Sequence, residues 1–373
     1  MSTPASPMVV VCAGGGGVGK TTTSAALALA LARQGRSTLI VTIDPARRLA
    51  GAMGVPITDE VTRVPLASAR GNLSALMPDP RRSLHTFAEQ LFEDEPAAKA
   101  RLRANRLYLG LADAAAGVHE LVAMNLVARA ASRGAFEVVV IDTAPSRHAI
   151  DFVTYPGRLA ALLGGRTVTW LAGLAQRAAI ASPSAKAPSG LLSWGTGHVE
   201  HLLARVTGPN LVSDTGALFG DLAVVRERFV ALTQHAADLL LGPRAAYALV
   251  TAPTAAGRDD VLYLAKRLEK LGRSPRAVVI NRADTQPAPY ARALAGARGL
   301  SPAIDLALTM LDEERVSRSA AAEACAAELG KRLRGVPLVR LPYIEAIAPE
   351  AVVAALADEL SPQLATLLPA PLR

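Results

Sequence analysis

A glycine-rich turn that carries a lysine constrains this chain more than any other feature. Gly14-Gly15-Gly16-Gly17-Val18-Gly19-Lys20-Thr21-Thr22 satisfies the pattern G-x-x-x-x-G-K-[ST]. The pattern is informative only between a strand and a helix, and its flanks supply both. Met8 to Ala13 is a short apolar run rich in valine, and Lys20 to Arg33 is an Ala/Leu-rich helical stretch that stops at Gly35. Ser37 to Ile43 then reads as a second buried strand. Strand, glycine turn, helix and strand in succession make a βαβ unit, which requires a parallel sheet with helices on both faces.

The rest of the chain continues that alternation. Leu73 to Met77, Phe136 to Ile141, Ala246 to Thr251, Ala277 to Asn281 and Val336 to Leu341 read as strands. Residues 81–133, 217–241, 256–272 and 303–334 read as helical, and a last helix spans 349–368 with a break at Pro362. Residues 157–216 interrupt the rhythm with Trp170, Trp194, several glycines and a Pro/Ser/Ala piece at 181–190. The expected fold is therefore α/β, a doubly wound, mainly parallel sheet of the P-loop NTPase kind with a helical insert. The core is expected at 8–156 and 242–373 of a single domain, with the insert at about 157–241.

The chemistry of the turn follows from its residue types. Glycines let the backbone wrap a phosphate without a Cβ clash, and successive N–H groups at a helix N-terminus favour an anion. Gly16, Gly17, Val18 and Gly19 supply the cradle. Lys20 reaches the β- and γ-phosphates as a point charge, Thr21 places a hydroxyl on Mg²⁺, and Thr22 bonds the α-phosphate. Two carboxylates sit where strands end. Asp142 follows the 136–141 run and is the candidate for the magnesium shell, through water. Asp44 follows the strand after the phosphate loop and can orient or deprotonate an attacking water. Each alone could equally be a helix cap or turn former.

Composition excludes several classes. With 373 residues, 51% hydrophobic and 19% charged, the chain can bury a large core and is neither disordered nor collagen-like. Its two cysteines, Cys12 and Cys325, are too sparse for a disulfide framework or a cysteine metal site. The net charge of +8 comes from 34 Arg and six Lys scattered along helical patterns, with no run of four. Aromatic residues make up 4%, too few for base stacking, so no nucleic-acid partner is expected. The apolar stretches are too short to span a bilayer, and Met1 to Pro7 lacks a basic leader region. A cytoplasmic protein without stable membrane insertion is expected, with peripheral membrane association left open.

Three segments together resemble the ArsA-like ATPases, the family of the arsenite-pump and guided-entry targeting ATPases, within the deviant Walker A class. The family pattern G-K-G-G-V-G-K-T-T, D-P-A-H-x-L and D-T-A-P-T-G-H meets Gly14 to Thr22, Asp44-Pro45-Ala46-Arg47-Arg48-Leu49 and Asp142-Thr143-Ala144-Pro145-Ser146-Arg147-His148. The chain resembles in particular the actinobacterial-type anion-transporting ATPase homologues. Val278-Val279-Ile280-Asn281-Arg282 is similar to the family's adenine-contacting segment, and Leu341-Pro342-Tyr343 to the loop that packs on the base. Gly117-Val118-His119-Glu120 resembles a further family segment. The resemblance implies ATP and Mg²⁺ as cofactors. It implies a dimeric ATPase switch with switch regions starting at Asp44 and Asp142, and a client or membrane-associated partner. It also implies nucleotide contacts from Asn281, Arg282, Pro342 and Tyr343.

Three departures qualify that implication. The family carries a signature lysine at the position of Gly15, which reaches the partner's nucleotide, and this chain has no lysine near it. A lysine-bearing ArsA-like paralogue in a heterodimer could supply the cation, or Arg47, Arg48 or Arg147 could replace it in a homodimer. Otherwise the chain binds nucleotide as a regulatory subunit that hydrolyses weakly. No C-x-x-C pair or cysteine cluster is present for a zinc clamp or for arsenite, and His198 and His201 read as a solvated helix face. The chain has six Met, none between 125 and 309, so a groove for a hydrophobic client would rest on Leu159, Leu162, Leu163, Trp170, Leu171 and Trp194. A DNA-partitioning ATPase lacks a basic stripe, a membrane-switch ATPase lacks a basic terminal helix, and a kinase lacks a recognisable acceptor pocket.

Overall fold

Valine- and isoleucine-rich runs without polar alternation are stable strands only where both faces are covered, and the computed structural model arranges them so. It describes residues 6–44, 48–66, 70–114, 125, 127–130, 134–144, 150, 211–284, 301–345 and 348–369. The described strands are β1 (Met8–Gly14), β2 (Ser37–Thr42), β3 (Thr62–Val64), β4 (Asn72–Leu76), β5 (Val138–Asp142), β6 (Ala245–Thr251), β7 (Ala277–Ile280) and β8 (Leu338–Arg340). They form one sheet of eight strands in the order β3-β4-β2-β5-β1-β6-β7-β8. Every pairing is parallel except that of β3 with β4. The expected doubly wound, mainly parallel sheet is thus present. Strands β5, β6 and β7 are buried along their whole length.

Helix α1 (Lys20–Arg33) runs from the glycine turn and is buried at twelve of its fourteen residues. Its small side chains, Ala25, Ala26, Ala28, Ala30 and Ala32 among them, let it lie close to the sheet, and Leu27 and Leu31 complete the same core. Its last turn closes on Gly35, at φ +97°, with Arg36 N–H donating to Leu31 O at 3.1 Å. That bond and the left-handed glycine are the standard helix stop of this kind.

The chain divides into two compact units. The first, Met1–Pro78, Arg129–Asp151 and Leu239–Arg373, holds the sheet. Its other described helices are α2 (Arg48–Met53), α8 (Ala255–Lys270), α9 (Pro302–Arg332), α10 (Pro349–Leu360) and α11 (Leu364–Leu367). The second unit comprises Asp79–Ala128 and Phe152–Asp238. Its described helices are α3 (Pro80–Leu91), α4 (Pro96–Ala104), α5 (Arg106–Ala114), α6 (Leu211–Val224) and most of α7 (Arg226–Leu241). Phe87, Leu91, Phe92, Leu102, Tyr108 and Phe229 form its separate core. Phe87 and Phe229 meet edge to face at 5.9 Å between ring centroids.

Local details differ from the sequence reading. The 217–241 stretch is two helices that meet at Val225. The 81–133 stretch contains α3, α4 and α5, separated at 92–95 and at Asn105, whose side chain accepts from Leu107 N–H at 2.9 Å, and further helical residues at 127–130. The last helix gives way at Ser361–Gln363 to a short 3₁₀ turn around Pro362, as expected of a residue without an N–H. Residues 151–210, the segment Gly117 to Glu120, Arg47, Arg147, His148, His198, His201 and the proposed groove residues lie outside the described residues. Among the described residues, no helix is long and apolar enough to cross a membrane.

Candidate functional site

The parallel sheet brings the glycine turn and both strand-end carboxylates to one edge, the carboxyl edge where open α/β sheets bind ligands. Strand β5 lies between β1 and β2, and Asp142 is in register with both Cys12 and Thr42. Helix α1 starts at Gly19, held at φ +84°, and Gly17 stands at +74°. A Cβ on Gly19 would come within 2.1 Å of the Asn281 side-chain nitrogen, so glycine is required there on two grounds.

Around Asp142 the polar groups are dense and dry. Thr21 Oγ1 donates to Asp142 Oδ2 at 2.8 Å, and Thr42 Oγ1 to the same oxygen at 3.1 Å. Ser24 Oγ donates to Oδ1 at 3.3 Å and to Lys20 O at 2.9 Å. The Lys20 ammonium lies 3.4 Å from Oδ1 and also donates to the Thr143 carbonyl. Asp142 is wholly buried and Lys20 nearly so. Burial pushes the Asp142 carboxyl above its ordinary range, while the Lys20 charge and the hydroxyls of Thr21 and Thr42 pull the other way. Beside it, burial pushes the Cys12 thiol up to about 12.

Asp44 is also buried, two residues past the end of β2, with its N–H donating to Thr42 Oγ1 at 3.2 Å. Thr42 therefore touches both carboxylate segments. Arg48, the first residue of α2, holds its guanidinium 3.9 Å from Asp44 Oδ2. Gly15, Gly17, Gly19, Lys20, Thr21, Thr22, Arg48 and Arg282 line a cavity of about 180 Å³ at this edge. A larger cleft of about 310 Å³, walled by Leu29, Met53, Val64, Leu66 and Val353 with Arg33 and Glu350, contains none of these groups.

The sequence-derived residues fall into three sets. Gly17, Gly19, Lys20, Thr21, Thr22 and Arg282 share the cavity wall, and Gly16 is exposed next to it. Val18, Asp44, Asp142 and Asn281 are buried behind or beside that wall. Pro342 and Tyr343 line neither cavity. Tyr343 is held by a bond from its N–H to Asp284 Oδ1 at 2.9 Å, with the Arg318 guanidinium 4.9 Å from its ring centroid. Arg318 in turn lies 3.3 Å from Asp284. Asn281 donates from Nδ2 to Val18 O at 2.9 Å, so it ties β7 to the loop backbone. The next residue, Arg282, has φ +57°, a strained conformation for a side-chain-bearing residue.

Sequence reasoning overlooked Ser24, Thr42, Asp284 and Arg318. Ser24 carried a signal, since it stands four residues after Lys20 on the same helix face. Asp284 and Arg318 are 34 positions apart and carried none.

A magnesium-bound nucleoside triphosphate fits this donor set. A hydroxyl and a carboxylate in mutual contact are hard oxygen ligands of the kind Mg²⁺ takes, directly or through water. The exposed glycines, the α1 N-terminus and the cations of Lys20, Arg48 and Arg282 suit polyphosphate.

Comparison with known proteins agrees with that chemistry. The family described as anion-transporting ATPase matches residues 8–184. The chain is 31% identical over 182 residues to ATPase get3 of Schizosaccharomyces japonicus, covering 49% of this chain and 51% of that protein. It is 36% identical over 150 residues to ATPase GET3 of Malassezia globosa, covering 40% and 43%. It is 34% identical over 130 residues to ATPase get3 of Aspergillus terreus, covering 35% and 37%. The chain thus spans about half the length of the first of these relatives and less of the others. The family match takes in the loop, Asp44 and Asp142, and ends before Asn281, Arg282, Pro342 and Tyr343.

Proposed function

We propose that the chain is an ATP-binding and ATP-hydrolysing switch of the ArsA-like kind. It works as a dimer that couples its nucleotide state to a protein client or membrane-associated partner. The observation that carries the reading is the buried contact of Lys20 and Thr21 with Asp142 beneath the glycine cavity. The similarity to proteins named ATPases supports it.

In this reading the loop N–H groups and Lys20 bind the phosphates, and Thr22 bonds the α-phosphate. Mg²⁺, when bound, neutralises charge on the β- and γ-oxygens. Thr21 and Asp142 would hold it, Asp142 through water. Asp44 orients the attacking water and accepts its proton. Asn281 fixes the loop through Val18 O, and Asn281, Arg282, Pro342 and Tyr343 contact the nucleotide as the resemblance implies. The links Thr42 makes to Asp142 and Asp44 give the two switch segments a shared anchor, so a γ-phosphate that orders one orders the other.

A second reading, a regulatory subunit that hydrolyses weakly beside a lysine-bearing paralogue, is favoured by one feature. A Cβ on Gly15 would stand 2.2 Å from Asp260 Oδ2, so the position where the family carries its lysine is walled by a carboxylate.

Titration of the purified chain with a fluorescent ATP analogue, with and without Mg²⁺, tests the main reading. Wild type should bind only weakly without the metal. Lys20→Ala and Thr21→Ala should each lose about tenfold or more in affinity. Equal binding by all three proteins would sink it. The client part of the proposal is tested by limited proteolysis, where cuts within 157–216 that ignore nucleotide would count against a gated groove.

A further inference from the structure

We propose that Arg48 is the cation that stabilises the transferring phosphoryl group, replacing in the same chain the lysine absent at position 15. The inference rests on the ATPase reading above. Three observations carry it.

First, position 15 carries no side chain, and the Asp260 carboxylate stands next to it. Any side chain there must displace the Asp260 carboxylate, whose Oδ2 stands 2.2 Å from the Cβ position and whose Cγ stands at 3.3 Å. Position 15 thus has an acidic neighbour and no cation of its own. Second, among the described residues the cations on the cavity wall are Lys20, Arg48 and Arg282. Lys20 already has its place on the bound phosphates in the reading above, and Arg282 comes from the segment after β7, away in sequence from Asp44. Arg48 has a side chain 57% exposed, which leaves its guanidinium able to move onto a bound phosphate. Third, the Arg48 guanidinium stands 3.9 Å from Asp44 Oδ2, four positions along the chain. The group that orients the water and the group that meets the charge are thus held together at one end of the cavity.

The chemistry suits arginine. The water oxygen bonds to the γ-phosphorus as the bond from that phosphorus to the β–γ bridging oxygen breaks. ADP leaves with the electron pair, and the proton of the water passes to Asp44. Charge spreads over the three equatorial oxygens, and a planar guanidinium can meet two of them at once. Such a contact is stronger in the transition state than with ATP or ADP, so it appears in turnover and in binding of transition-state mimics. Arg47 and Arg147, the other arginines that the sequence offers for this role, provide the comparison.

The test is competition binding on the whole chain, using Mg·ADP alone and Mg·ADP with aluminium fluoride against a fluorescent nucleotide. It is run on wild type, Arg48→Ala, Arg48→Lys, Arg47→Ala and Arg147→Ala. Arg48→Ala should melt at the wild-type temperature, which shows that it is folded, and should lose far less affinity for Mg·ADP than for the fluoroaluminate complex. It should bind the fluoroaluminate complex about tenfold or more weakly and lose about 100-fold in kcat. Arg48→Lys should recover part of both, because charge is restored without the fork. Fluoroaluminate binding by Arg48→Ala equal to wild type would overturn the proposal, and so would a loss confined to Arg47→Ala or Arg147→Ala. A wild-type chain that binds no Mg·ADP would instead remove the ATPase reading, and this inference with it.

Discussion

At the scale of single residues, the site is a set of buried polar groups that satisfy one another. Lys20, Thr21 and Asp142 were legible in the sequence because the glycine motif fixes the first two at a helix start and a valine-rich run ends at the third. Asn281 was singled out only through the resemblance of its segment to a family motif, and its bond to Val18 O is a tertiary fact that no local spacing reveals. Removing that donor leaves a carbonyl without its partner, at about 1–3 kcal/mol. Asn281→Ala should therefore lower the melting temperature and weaken nucleotide binding together. Unchanged melting with unchanged binding would show that the bond does not hold the loop. Cys12 supplies a pH-dependent prediction. Burial raises its thiol from 9.0 to about 12, so it stays protonated in the fold when the unfolded chain already ionises. A group whose folded value is raised contributes stability below its unfolded value, and that stability is lost as pH rises. Stability should thus fall from about pH 9 toward about pH 12 by about 1.4 kcal/mol per pH unit, over and above what a Cys12→Ala chain loses. Denaturant melts of the two chains across that range check it, and parallel slopes would contradict it.

At the scale of elements, the strands were legible where runs of valine and isoleucine had no polar alternation, as in Val138–Asp142 and Ala245–Thr251. The three-residue edge strand Thr62–Val64 was not, because so short a segment shows no period and is specified by its antiparallel partner. The six-residue helix Arg48–Met53 was equally hard to find, yet it positions the arginine at the cavity. The join at Val225 was missed for a related reason, since the helical pattern continues through it on both sides. The stop of α1 was readable from Gly35, and its energy can be measured. Gly35→Ala forces an L side chain to φ +97° and should destabilise the chain by about 1–2 kcal/mol, seen as a lower denaturant midpoint with an unchanged slope. A neutral substitution would mean that another contact terminates the helix.

At the scale of the whole molecule, the alternation of strands and helices led to the parallel sheet, and the glycine turn led to its carboxyl edge, where open α/β sheets bind ligands. The grouping of Asp79–Ala128 with the helices after 210 left no mark in the sequence, because a shared core built from Phe87, Leu102 and Phe229 depends on packing between distant segments. The proposed function divides the labour at that edge, with one set of residues assigned to binding and Asp44 to activating water. Asp44→Asn keeps the size of the side chain and removes the proton acceptor. Binding of Mg·ATP and single-turnover hydrolysis, measured on wild type and Asp44→Asn, test that division most directly. The account expects affinity within about threefold of wild type and a hydrolysis rate lower by about 100-fold or more. Hydrolysis at the wild-type rate by Asp44→Asn, or equal loss of binding and hydrolysis, would contradict it.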